Sequence, residues 1–437
     1  MEGLTQEQQE AYEAIRQGKS IFITGPGGTG KSYLLKHIYE TIPEVTGKHV
    51  AITAMTGCAA LLIGRFAKTL HSWAGIGLGR DPAKALAQKI KKSGEISRKN
   101  KAWYRWLNTD ILIIDEVSML TPELLEKLDV IARLLRKNDT PMGGLQIVFV
   151  GDFYQLPPVN KETDKPTEFV FESPLWKEIV QQTIPLTQII RQDDPIFQKI
   201  LLEVREGKVT PETLQILENR KDNSWRNLEI RPSLLYARRA IVDNINNLNL
   251  KALTGERRIY KAETVFVPIA RTRGLTDSSP EVKIATEKMD RDGVYMPELT
   301  LAVGAQVMLL TNLNHDAGLV NGSRGVLRHF DGDGLPVVQF QSGILIPVGY
   351  STWESEEIEG LSRKQIPLRL AYAITIHKAQ GATLDSALID IGTNTFEYGQ
   401  AYVALSRVKN LQSLYVWDVE PTAFKAHPKV VKFYKEL

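Results

Sequence analysis

The octapeptide GPGGTGKS, Gly25 to Ser32, constrains this chain more than any other stretch, because it lies between an apolar run, KSIFITG, and a helix-forming one, KSYLLKHIYETI. In that setting GxxxxGK[ST] is a phosphate loop joining a strand to a helix. Its glycines (Gly25, Gly27, Gly28, Gly30) let the backbone curl round phosphate, and the amides opening the helix aim donors at anionic oxygen. Lys31 supplies a point charge to the β and γ phosphates, and the Ser32 hydroxyl ligates magnesium. A strand feeding such a loop belongs to a mostly parallel sheet covered on both faces, so an α/β fold is expected.

The rest of the chain repeats that grammar. HVAITAM runs into GCAALLIG, and apolar runs return in DILIIDE and LQIVFVGD, making four strands within the first 152 residues. A short helix is expected over residues 5 to 17, with Ala11 and Ile15 four apart. Gly75 to Arg105, rich in Lys, Gly and Arg and carrying Trp103 with Trp106 just beyond, reads as a surface insertion or small subdomain. The alternative is a solvated connection whose tryptophans pack locally. PSLLYARRAIVDNINNLNLKAL opens a second α/β domain, and residues 259 to 350 hold short β-rich runs divided by Asn-Gly, Asp-Gly and Ser-Gly pairs. These predict a small antiparallel module set inside the second domain, since PLRLAYAITIHKAQG and SLYVWDV return to longer elements.

A bound triphosphate needs an acid to organise metal and a group to handle water. ILIIDEV offers both at a strand end: Asp115 for magnesium and Glu116 to orient or deprotonate water. GDFYQLPPV, Gly151 to Val159, follows another strand of the same sheet. Its Gln155 either touches the γ phosphate or the attacking water, or belongs to a polar turn stiffened by Pro157 and Pro158. TGCAALLIGRFAKTLHSW offers Arg65, Lys68, His71 and Trp73 to a groove for a nucleic-acid strand, unless Phe66, Leu70 and Trp73 form a packing face that the charges cover.

Composition contributes mainly exclusions. With 54 basic and 51 acidic residues the formal charge is +3, too balanced to name a polyanion partner. One cysteine, Cys58, provides neither an internal disulfide nor a cysteine metal cluster, which fits a reducing, intracellular setting. The opening MEGLTQEQQEAYEAIRQG has no apolar signal core, and no run of 18 apolar residues supports a membrane span.

LTQEQ, GPGGTGKS, TAMTGCAALLIG, KTLHSWAGIG, IIDEVSML, PMGGLQIVFVGDFYQLPPV, LTQIIRQDD, TIHKAQGATLD and YVALSRVKNL form an ordered set running from Leu4 to Leu411. In this the chain resembles the Pif1-like branch of superfamily 1B DNA helicases, with relatives among RecD-like and phage Dda-like proteins. The resemblance implies two RecA-like P-loop NTPase domains, a small inserted SH3-like β domain and a 1B wedge-containing insertion. The expected boundaries are 1–180 for domain 1A with 1B near 75–106, 181–300 for the first part of 2A, 301–360 for 2B and 361–437 for the rest of 2A.

The resemblance also assigns residues. It places Gln8 near adenine, Thr29, Lys31 and Ser32 in the phosphate loop, Asp115 and Glu116 at magnesium and water, and Gln155 at the γ phosphate. Arg191 and Arg407 match arginines that the second domain contributes to the cleft, and Gln380 and Gly381 a nucleotide-coupling motif. Thr56, Gly57, Thr69, His71, Thr375, His377 and Lys378 are the implied DNA contacts. The implied cofactors are ATP and Mg2+, and the implied partners single-stranded and tailed duplex DNA, extending to G-quadruplexes and RNA-DNA hybrids. The implied activity is 5′ to 3′ translocation with unwinding by a protein able to work as a monomer, cytoplasmic or nucleoid-associated if bacterial. The alternatives are a DNA-stimulated ATPase that remodels complexes without unwinding, and a nucleotide-gated DNA-binding module.

Overall fold

A computed structural model describes residues 3–64, 66–77, 79–96, 102–158, 167–267, 274–314, 317–355, 358 and 360–437. The chain divides into two compact units. The first comprises Met1–Thr210, Glu397–Ser406 and Phe424–Leu437; the second comprises Pro211–Phe396 and Arg407–Ala423.

The first unit is built on six parallel strands: β1 (Ile21–Thr24), β2 (Val50–Ala54), β3 (Lys68–Thr69), β4 (Ile111–Asp115), β5 (Gln146–Gly151) and β6 (Gln182–Pro185). Their order across the sheet is β3-β2-β4-β5-β1-β6. β1, β4 and β5 are buried along their whole length, which is why they read as unbroken apolar runs. Successive side chains go to opposite faces: Phe22, Leu112, Ile114, Ile147 and Phe149 join one core, while Ile21, Ile23, Ile111, Ile113, Val148 and Val150 join the other.

The described helices of the segment expected to be a surface insertion or small subdomain pack into the first of these cores. The helices Ala83–Ile96 and Ala102–Asn108 bring Leu86, Ala87, Ile90 and Trp106 against Leu125 and Leu128 of the helix Pro122–Arg136. Trp106 is fully buried, 4.7 Å from the Trp73 ring, and its Nε1 donates to the Ala74 carbonyl at 2.9 Å. Trp73 is therefore a packing residue. The abundant lysines misled because they occupy the solvent side of amphipathic helices.

The expected boundary at residue 180 also moves. β6 pairs with β1, so the first unit continues past it to Thr210, and two later segments return to it, one of them carrying the helix Pro428–Lys435.

The second unit holds a parallel sheet in the order 373–375, 233–236, 387–391, 414–419. It also holds a five-stranded antiparallel sheet in the order 345–347, 336–340, 324–330, 306–309, 368–370. This β module reaches beyond the expected 301–360, because its edge strand Leu368–Leu370 pairs with Gln306–Leu309. Arg324, almost fully buried, ties the two sheets together: its guanidinium donates to Arg231 O at 2.5 Å and to Ser386 Oγ at 2.6 Å. Among the described residues no helix is long and apolar enough to cross a membrane.

Candidate functional site

In the first unit, the loops after β1, β4 and β5 converge at one edge of the sheet, because parallel strands all end on the same side. The phosphate loop follows β1. Gly25 (φ +142°) has Leu186 so close that a Cβ would stand 2.2 Å from its carbonyl oxygen, and Gly28 and Gly30 take φ of +93° and +79°. Thr29 is buried with its hydroxyl on Pro26 O at 3.0 Å. Gly30 then caps the helix Lys31–Thr46, where Ser32 is exposed on the first turn. The Lys31 ammonium donates to Gly25 O at 2.7 Å and Pro26 O at 2.8 Å. Burial pushes its pKa down, opposed by the charges of Asp152, Glu116 and Asp115.

Asp115 ends β4 and is 7% exposed. Burial, and next the charge of Glu116, push its carboxyl up to about 7, while its Oδ1 accepts the Glu116 amide at 2.9 Å. Two adjacent carboxylates in a dry site repel, and a divalent cation relieves that repulsion, so the donor set fits magnesium. Glu116 itself has φ 55° and ψ 43°, a left-handed conformation that side chains other than glycine seldom adopt and that recurs at functional positions. Directly alongside, a Cβ on Gly151 would lie 2.9 Å from the Val117 nitrogen, so only glycine lets β5 end this close to the acidic turn.

Gln155 is not in a solvated turn. Every residue from Gly151 to Pro158 is buried, Gln155 being 6% exposed. The loop is packed from the far side by Gly399 (φ +72°), where a Cβ would come within 2.5 Å of Tyr154 O and 2.6 Å of Gln155 O. Gly399 opens the helix Gln400–Leu405, whose Tyr402 hydroxyl accepts the Gly27 amide at 2.7 Å. One of the amides expected to face phosphate is thus held by a phenol.

Gln8, in the helix Gln6–Arg16, is 1% exposed; its Oε1 accepts from Thr5 N at 3.0 Å and its Nε2 donates to Thr29 O at 3.1 Å. One oxygen lone pair and one N–H remain, the complement of the N6/N7 edge of adenine. Arg191 groups with the first unit rather than the second, because its own amide and that of Ile190 both donate to Gly28 O, at 3.1 and 2.8 Å. Its guanidinium is buried, which lowers its pKa, while Tyr402 and Glu116 oppose the shift.

Arg407, Gln380 and Gly381 form a cluster in the second unit. The Arg407 guanidinium, 2% exposed, donates to Ala382 O at 3.2 Å and Ala379 O at 3.4 Å, bracketing Gln380 and Gly381 (φ +78°). The implied DNA contacts share one local design. Thr56, just past β2, and Thr69 and Thr375, each the last residue of a strand, accept backbone amides of Ala59, Ser72 and Lys378 as helix N-caps. Gly57 opens the first of these helices, His71 lies half-buried in the second, and His377 and Lys378 are exposed in the third. Arg65 lies outside the described residues.

Sequence reading missed four residues that organise this site. Tyr402 lies inside a quoted motif, and Asp152 begins the loop carrying Gln155. Arg205 and Tyr434 have no local signal; they meet Asp152 through side chains 53 and 282 residues away in sequence.

A parallel α/β sheet with a phosphate loop and an acidic pair at one edge defines a P-loop nucleotide-binding protein. The comparisons narrow the class. A family profile described as PIF1-like helicase matches residues 3–215, and one for the Pif1 helicase 2B domain matches residues 286–330. The crystal structure of Pif1 helicase from Candida albicans is 37% identical and superposes with a TM-score of 0.80, covering 100% of both chains. A Bacteroides Pif1 helicase in complex with ADP-AlF3 and ssDNA is 29% identical, with a TM-score of 0.68 over 99% of this chain and 97% of that one. Human ATP-dependent DNA helicase PIF1 is 40% identical over 440 residues, which is 99% of this chain but 64% of the human protein. The chain belongs to the Pif1 helicase family.

Proposed function

We propose that the protein is an ATP- and magnesium-dependent DNA helicase that moves 5′ to 3′ on single-stranded DNA and separates duplexes. The observation that carries the reading is the convergence of Lys31, the Asp115–Glu116 pair and the buried Gln155 loop at one sheet edge, in a chain similar to a relative held with ADP-AlF3 and ssDNA. Asp115 and Ser32 would hold magnesium, which when bound neutralises phosphate oxygens. Lys31 turns from its loop carbonyls to phosphate, Glu116 orients the attacking water and receives its proton, and Arg191 stabilises charge on the transferred group. Gln155 reports the γ phosphate, and Gln8 reads adenine.

On this reading the two units are RecA-like lobes, the five-stranded sheet is the SH3-like 2B module, and residues 75–106 fill the 1B position. Arg407, with Gln380 and Gly381, serves nucleotide coupling from the second lobe. The three threonine-capped helix starts, with Gly57, His71, His377 and Lys378, face the DNA backbone, a grip that tolerates any base. G-quadruplexes and RNA-DNA hybrids are further substrates.

The deciding experiment measures ATP turnover and strand separation on matched 5′-tailed, 3′-tailed and blunt duplexes, beside Glu116→Gln. DNA-stimulated turnover and opening of the 5′-tailed substrate, both abolished in the variant, are expected. Turnover without opening of any tailed duplex points to a remodelling ATPase, and opening only from the 3′ tail reverses the polarity.

A further inference from the structure

One phenol hydroxyl, beyond the motifs quoted between Leu4 and Leu411, joins the phosphate loop to the Gln155 loop. Tyr434, on the helix Pro428–Lys435, lies with its oxygen 2.6 Å from Thr24 Oγ1, the last side chain before the phosphate loop. The same oxygen accepts the Phe153 amide at 3.1 Å and donates to Asp152 Oδ1 at 3.3 Å. With Asp152 taking its proton, the Thr24 hydroxyl is the donor in the first contact, so the phenol's one donor and two acceptor sites are all used.

The ring contributes as well. It stacks on Tyr154 at 4.8 Å with a 10° interplanar angle, and the Arg205 guanidinium stands 4.5 Å from the Tyr154 ring and 5.3 Å from the Tyr434 ring. Arg205 in turn holds Asp152 through two bonds of 2.8 and 2.9 Å. Asp152, Phe153 and Tyr154, the three residues leading into Gln155, are therefore each fixed by Tyr434. We infer that Tyr434 is a positioning residue: it sets the Gln155 loop against the phosphate loop and thereby governs the hydrolysis step rather than nucleotide affinity.

The inference rests on the proposed ATPase function, and its test separates the two. Tyr434→Phe keeps the ring and removes only the hydroxyl. Val430→Ala, on the same helix and in the apolar core, loosens the helix without touching the hydrogen bonds. Tyr434→Phe is expected to lower the DNA-stimulated kcat for ATP about tenfold, as misplacement of a catalytic group does, with KM within about twofold. Amide hydrogen exchange of residues 152–156 should rise in the same variant. Val430→Ala should lower thermal stability at least as much, yet hold kcat within about twofold.

Unchanged kcat in Tyr434→Phe, or an equal fall in Val430→Ala, overturns the positioning role. If the wild-type protein does not hydrolyse ATP, the proposed function fails, and exchange alone judges the inference. Protection of residues 152–156 that is the same with and without the hydroxyl then refutes it.

Discussion

Arg205→Met is the perturbation with the largest effect calculable from the structure. Asp152 is fully buried and the Arg205 side chain is 11% exposed, so the pair sits beyond solvent screening. Removing the guanidinium leaves a buried carboxylate whose remaining hydrogen bonds among the described residues come from the Tyr434 hydroxyl and the Tyr154 amide, with Lys31 the nearby cation. Breaking a buried pair from one side costs about 3–5 kcal/mol, and loss of the cation–π contact with Tyr154 adds roughly 0.5–2 kcal/mol. For a unit of this size that lowers Tm by about 10 °C. Urea unfolding followed by tryptophan fluorescence suits the measurement, since Trp73, Trp106 and Trp176 all lie in the adjoining core. Adding Asp152→Asn removes the stranded charge while keeping an acceptor, so the double variant should recover about 2 kcal/mol. The loss should also change little with added salt. A cost below about 1 kcal/mol for Arg205→Met, or a double variant no more stable than the single, would refute the buried-pair reasoning.

Gly399→Ala and Gly47→Ala compare two glycines of nearly equal φ, +72° and +71°. The first drives a methyl into the Tyr154 and Gln155 carbonyls and should cut ATP turnover at least about tenfold, while the second meets nothing within 4 Å and should cost only about 1 kcal/mol in urea melts. Trp106→Ala should lose about 3–5 kcal/mol of stability, the cost of deleting a fully buried aromatic; a variant that loses less than about 1 kcal/mol would refute its place in the core. Burial pushes Tyr260 up to about 12 and raises Tyr295 and Tyr434 as well. A raised tyrosine stabilises fully below its unfolded value and loses that contribution as pH rises through the folded one. Stability should therefore fall above about pH 10, and absorbance at 295 nm should show these phenols ionising only as the protein unfolds.

How much was legible in the sequence follows from where the physical signal resides. β1, β4 and β5 announced themselves because strands covered on both faces cannot alternate, and their loops inherit a fixed position at the sheet edge. Lys31, Asp115 and Glu116 could be placed from that alone. β6 reads as the start of a strand, but four residues ending in a proline do not say which sheet they join, so the expected boundary falls before it rather than after the helix Pro195–Glu206. The burial of Trp106 was hidden by its lysine-rich neighbours. The Asp152, Arg205 and Tyr434 cluster was invisible for a deeper reason: a polar group buried against a distant partner leaves no periodicity, only an isolated residue type.

The sheet order also constrains how nucleotide and DNA communicate on the proposed function. β4, which ends in Asp115, neighbours β5 on one side and β2 on the other, and β2 leads to Thr56. Neighbouring strands lie about 4.8 Å apart, and the Met55 amide donates to Asp115 O at 3.3 Å, so the acidic turn and the Thr56 cap share a backbone contact. The strands themselves are too well buried to shift on each ATP cycle, whereas the loops at their ends need only small movements. Coupling is then a property of the sheet edge: a change at Glu116 passes through Asp115 to the loop holding Thr56 and through Gly151 to the loop holding Gln155. Tyr434 braces the second of these routes and leaves the first untouched, so removing its hydroxyl should weaken hydrolysis before it weakens DNA affinity.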